Sequence, residues 1–156
     1  MKFKNPLLVV TDMEASKAFY REVLGLRVIM DFGANVTLTG GICLQTKESW
    51  LRLIQAEKEE FSFCGRDTEL YFEEENYDDF LARLNQADLV YLHENREMPW
   101  GQRCVRFYDP DGHLIEVSEP IDKVCIRLAK QGLSLEEISQ KTSIPPEVLR
   151  QNWKED

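Results

Sequence analysis

Histidine is nearly absent from this sequence: His93 and His113 are the two among 156 residues. A metal centre built from several imidazoles is therefore not available. The four cysteines, Cys43, Cys64, Cys104 and Cys125, contain no CxxC spacing, which removes the usual zinc and dithiol readings. Three of them sit in apolar contexts that suit small buried thiols, so reduced cysteines in a cytoplasmic protein are expected. No hydrophobic run approaches the length of a membrane span, and the opening Met-Lys-Phe-Lys-Asn-Pro lacks a secretory apolar region, so neither insertion nor export is expected. An excess of positive charge is also missing. The net charge is −9, with 22 acidic against 13 basic residues before residue 122 and six against six from Asp122 onward. An acidic body disfavours nonspecific nucleic-acid binding.

What is present is a repeated pattern. Residues 5 to 10 are an extended apolar segment, and Thr11-Asp12 follows as a helix cap with Glu14 in the first turn. Residues 14 to 24 predict a helix that ends at Gly25. Strands are expected at Arg27 to Phe32, Asn35 to Thr39 and Gly41 to Thr46, punctuated by Gly33 and Gly40-Gly41. A shift of 64 residues repeats the order: a strand at Glu69 to Glu73, a cap at Asn76, a helix over 77 to 86, and strands at Leu89 to His93, Gln102 to Tyr108 and His113 to Val117. The order is βαβββ, twice. Residues 48 to 66 join the halves and contain the amphipathic stretch Trp50 to Ile54.

The stretch Trp100 to Val117 carries the most chemistry. Asp109-Pro-Asp-Gly112 predicts a tight turn. Glu116 then sits among Leu114, Ile115 and Val117. A carboxylate in an apolar strand is either on a solvent face or paired, because burying it bare costs too much. Arg103 and Arg106 either neutralise such an acid or stand on a rim.

From Ile121 onward the pattern is helical. Helices are expected at Ile121 to Gln131, at Leu135 to Lys141 with Ser134 and Glu137 as a capping box, and at Pro145 to Trp153. The segment Gly132 to Arg150 is helix-turn-helix-like. Its last helix offers Arg150 and Lys154 against Glu147, Glu155 and Asp156, too few cations for DNA, so a covering or assembly element is expected instead.

Leu7-Leu-Val-Val-Thr-Asp-Met-Glu-Ala-Ser-Lys-Ala-Phe-Tyr-Arg-Glu-Val-Leu-Gly-Leu26 resembles the opening of the vicinal oxygen chelate superfamily, the glyoxalase, bleomycin-resistance and extradiol dioxygenase group. Trp100-Gly-Gln-Arg with Asp109-Pro-Asp-Gly-His-Leu-Ile-Glu116 is similar to its last two strands. The resemblance implies an α+β fold of paired βαβββ modules curled into a cup, spanning residues 1–120 (module one about 3–47, linker 48–66, module two about 67–120), with 121–156 as a helical extension. It places four cup positions at Asn5, Gln45, Glu69 and Glu116, where metal-using members hold a divalent ion. Strand parity agrees with a shared inward face. With no histidine among the four, a hard ion such as Mg²⁺ or Mn²⁺ fits better than zinc, and a hydrogen-bonding cup with no metal is equally open.

Two functions follow from the resemblance. One is a metal-assisted lyase, isomerase or dioxygenase-type enzyme in which Glu69 or Glu116 moves the proton. The other is a metal-free, antibiotic-type binding module in which Tyr71, Trp100 and Arg103 contact a small molecule. A small-molecule ligand and a homodimer are expected; nucleic acid and membrane are not.

Overall fold

The structure is a computed structural model and describes residues 1–57, 62–63 and 67–152. Cys64, Trp153, Lys154, Glu155 and Asp156, all named above, lie outside the described residues. The order of elements is β1 (Leu7–Val10), α1 (Met13–Glu22), β2 (Val28–Asp31), β3 (Asn35–Leu38), β4 (Cys43–Thr46), α2 (Lys47–Ile54), β5 (Glu69–Glu73), α3 (Tyr77–Leu84), β6 (Val90–Glu97), β7 (Arg103–Tyr108), β8 (Leu114–Ser118), α4 (Ile121–Lys130), α5 (Leu135–Thr142) and α6 (Pro146–Asn152). The βαβββ order appears twice, and the fold is α+β with two four-stranded sheets, ordered β1-β4-β3-β2 and β5-β8-β7-β6. No helix among the described residues is long and apolar enough to cross a membrane.

The chain forms two compact units. The first comprises Met1–Leu70, Ala87–Val90 and Tyr108–Leu114. Its sheet is centred on β4, which pairs in parallel with β1 (Leu7↔Cys43, Val9↔Gln45) and antiparallel with β3 (Asn35↔Gln45). The first strand starts at Leu7 rather than Asn5, because Pro6 has no N–H to give the ladder; its carbonyl instead accepts from Cys43 N at 3.0 Å. α1 starts as the sequence dictates: Asp12 caps it by accepting from Ala15 N at 3.0 Å, and Gly25 leaves it at φ +68°. Val10, Tyr20, Val36, Leu38 and Leu44 make the core. β2 is an edge strand, and all four of its residues are exposed.

The second unit comprises Tyr71–Gln86, Tyr91–Phe107 and Ile115–Asp156. Phe80, Leu84, Val105, Phe107, Ile115 and Val117 are buried. β6 extends to Glu97, beyond the expected His93. Glu94-Asn-Arg-Glu97 is a polar edge, a device that discourages further strand pairing, and such a segment carries no apolar alternation to read.

The C-terminal helices belong to this unit. Val124, Cys125, Leu128, Ile138 and Leu149 form a cluster of their own. The expected Ser134/Glu137 capping box is formed in both directions. Val124 and Leu128 also reach the turn between β6 and β7. A Cβ at Gly101 would lie 3.3 Å from Leu128 and 3.5 Å from Val124. Arg127 fastens the contact, donating to Gly101 O at 2.6 Å, to Glu119 at 2.9 Å and to Glu97 at 3.2 Å. Burial pushes the Glu119 carboxyl up, but hydrogen bonds from Arg127 and Arg103 outweigh it and hold it below the ordinary glutamate value. A depressed carboxylate contributes stability that is present above its unfolded value and is lost as pH falls through its folded value. Arg127→Met should therefore cost about 1.5–3 kcal/mol at neutral pH, the worth of charge-assisted hydrogen bonds. The gap from the parent should shrink as pH falls below the glutamate range. Urea unfolding at neutral and acidic pH checks both; a gap independent of pH would contradict the role assigned to Glu119.

Candidate functional site

The functional chemistry of the second unit lies on one face of its sheet. In a pleated strand alternate side chains share a face. Tyr71 and Glu73 share one on β5, Glu116 and Ser118 on β8, and Cys104 and Arg106 on β7, with Gln102 continuing the last series. Because β8 lies between β5 and β7, Glu116 and Ser118 occupy the middle of the face.

Glu116 is buried, its side chain 4% exposed, and it is not bare. Arg106 forms an ion pair with its Oε2, and Ser118 Oγ donates to Oε1 at 2.6 Å. Arg106 Nη1 also lies 3.2 Å from His93 Nε2. His93 Nδ1 is 2.9 Å from the Glu94 carbonyl, so Nδ1 carries the proton and Nε2 accepts from Arg106.

The other end of the face is aromatic. Trp100 Nε1 donates to Gln102 Oε1 at 2.9 Å, and Gln102 Nε2 donates to Tyr71 OH at 3.1 Å and to Glu119 O at 2.8 Å. Tyr71 OH in turn donates to Glu73 at 2.9 Å. The glutamine is buried at 6% exposure, while the rings it holds are open: Tyr71 is 50% and Trp100 38% exposed. Burial of the phenol, then the Glu73 carboxylate, push Tyr71 above its ordinary value, against Gln102 and Ser118. The hydroxyl is thus a proton donor throughout the neutral range.

The residues expected from sequence separate as follows. Tyr71 and Trp100 come together through Gln102. Arg103 stands on the opposite face of β7, where it pairs with Glu119 at 3.3 Å and Asp78 at 2.7 Å and lies over the Tyr77 ring at 5.2 Å. Its odd register relative to Arg106 sends it there. Asn5, Gln45 and Glu69 belong to the first unit and Glu116 to the second. Asn5 precedes β1 and donates to Cys43 Sγ at 2.6 Å. Gln45 is buried with both ends used: Oε1 accepts from Asn35 at 2.8 Å and Nε2 donates to Ser49 at 2.6 Å. Glu69 is exposed at the start of β5.

These surroundings test the fit of a divalent ion. A ligand must turn a lone pair to the metal, and the Gln45 carbonyl already gives one of its two to Asn35 while the amide end is fixed by Ser49. Glu116 already has a guanidinium as its counter-cation and a serine on its other oxygen. A second cation against Glu116 would meet Arg106 as a like charge. Among the described residues, no three His, Cys, Asp or Glu side chains are grouped to hold a metal ion. The local surroundings of Gln45 and of Glu116, each taken within its own unit, do not fit one.

Gln102 and Ser118 escaped the sequence reading. Their signal was present: polar residues at positions 102, 104 and 106, and at 116 and 118, repeat with the period of a strand face.

Comparison with known proteins places the fold. The family model described as a glyoxalase-like domain matches residues 3–122. A protein of unknown function from Agrobacterium tumefaciens str. C58 is 36% identical, with a TM-score of 0.68, over 76% of this chain and 94% of that one. A glyoxalase/bleomycin resistance protein/dioxygenase from Nocardioides (21% identity, TM-score 0.62, 76% and 83% covered) is similar in fold. So is a glyoxalase/bleomycin resistance protein/dioxygenase family enzyme from Burkholderia phytofirmans PsJN (18%, 0.64, 74% and 96%). No curated protein matches the chain.

Proposed function

The chain belongs to the glyoxalase-like family of the vicinal oxygen chelate superfamily, and from that premise we propose that it binds a planar small molecule on the second sheet without a divalent ion. The observation that carries this reading is the Trp100–Gln102–Tyr71 arrangement. Two open aromatic rings are held in place by one buried amide, so little side-chain freedom remains to be lost when a ligand stacks. The chemistry of the face points to a planar molecule with a cationic edge. Ring faces attract cations, and Glu73 supplies a carboxylate beside the Tyr71 hydroxyl. The Arg106–Glu116 pair supports the reading differently. It leaves the centre of the face self-neutralised, so orientation falls to the aromatic end.

The test is calorimetric titration with proflavine, a planar organic cation, in the presence of a chelator. Saturable binding is expected. Trp100→Ala should weaken it roughly fivefold to thirtyfold, the worth of one stacked cation–π contact. Gln102→Ala should weaken it as well, since both rings lose their tether. Absence of saturable binding, or binding indifferent to Trp100, would overturn the proposal.

A further inference from the structure

A cavity lies wholly within the first unit. Its volume is about 460 Å³, within the range of small-molecule sites. Leu7, Phe63 and Leu114 contribute apolar wall, and Asp67, Glu69 and His113 contribute polar groups. His113 is held in a defined way. Its Nδ1 lies 2.8 Å from Asp109 Oδ2, and the Asp109 side chain is 0% exposed. That carboxylate is itself fixed by three further donors: Tyr20 OH at 2.9 Å, Asp111 N at 3.0 Å and His113 N at 2.8 Å. The Phe63 ring meets the imidazole edge-on at 6.1 Å between centroids.

A carboxylate on Nδ1 selects the tautomer in which Nδ1 carries the proton and Nε2 the lone pair. The turn alone needs only the two backbone N–H bonds to Asp109 Oδ1, so the imidazole is additional to what the hairpin requires. We propose that this cavity is a second ligand site, taking a small primary ammonium compound with an apolar body. The ammonium donates to His113 Nε2, Asp67 adds negative potential, and the apolar body lies along Leu7, Phe63 and Leu114. The site is independent of the aromatic face of the second unit.

The probe is benzylamine, with benzyl alcohol as its uncharged counterpart, and the readout is the ¹⁵N spectrum of the two imidazoles. The neutral His113 ring should carry its proton on Nδ1. Millimolar benzylamine should shift His113 Nε2 and leave His93 unmoved, and benzyl alcohol should bind roughly tenfold or more weakly, as loss of a charge-assisted bond implies. His113→Asn retains an N–H where Nδ1 stood and removes the Nε2 acceptor, so it should abolish benzylamine binding; the wild-type spectra decide the matter should this variant not fold. A neutral His113 protonated on Nε2, no shift with benzylamine, equal binding of the alcohol, or undiminished binding by a folded His113→Asn would each overturn the proposal.

Discussion

Arg106→Ala should destabilise the protein by about 3–5 kcal/mol, because it removes one partner of a buried pair and leaves a carboxylate without its counter-charge. Glu116 is buried at the centre of the second sheet, and the hydrogen bond from Ser118 cannot replace a cation. Arg106 is itself largely covered, with its side chain 19% exposed, so water cannot simply take over. Removing both charges is a different perturbation. A combined Arg106→Met and Glu116→Leu change should recover most of the loss, since well-packed apolar replacements of a buried pair are often neutral. Urea unfolding of the two variants separates the cases. A loss under about 1 kcal/mol for Arg106→Ala would mean that Glu116 is not dependent on this guanidinium.

Phe107→Ala should cost a similar amount, about 3–5 kcal/mol, for a different reason. β7 is an interior strand of its sheet, and Phe107 is fully buried with its ring edge-on to Tyr91 at 6.3 Å. Truncation leaves a cavity that the surrounding strands cannot close, and it loses an aromatic pair worth about 0.5–1.5 kcal/mol. Phe32→Ala provides the contrast. Phe32 is 70% exposed beyond the edge strand β2, so its removal should change stability by no more than about 0.5 kcal/mol. Equal effects at the two positions would contradict the assignment of the core.

The architecture was legible because its signals are local. Asp12 and Ser134 cap helices where their side chains compete for backbone N–H groups, and Gly25 closes α1 where a left-handed residue is needed. Strand ends were less legible. Pro6 moved the start of β1 away from Asn5, and the charged end of β6 carried no alternation. The site was legible only in part for a related reason. Period-two parity sorts residues within one strand, and it correctly groups Tyr71 with Glu73 and Glu116 with Ser118. It does not say which face of β7 matches which face of β8, because register between strands is fixed by packing and turn geometry. That is why Arg103 and Arg106 were indistinguishable in sequence, although one bonds Glu119 and Asp78 and the other Glu116. Gln102 was passed over because the series of Cys104 and Arg106 was not followed back past the first residue of the strand. Its importance lies in joining Trp100 to Tyr71, and its own bond to Tyr71 crosses 31 residues of sequence.

The central claim is that the counter-cation of Glu116 is the guanidinium of Arg106. Thermal melting measures this directly, first in a chelator and then after adding Mn²⁺ or Mg²⁺ at millimolar concentration. A bound ion stabilises the folded state by mass action. With Arg106 already in place, the melting temperature should be the same in chelator and in either ion. A reversible rise with Mn²⁺ or Mg²⁺, abolished by Glu116→Gln, would contradict the account.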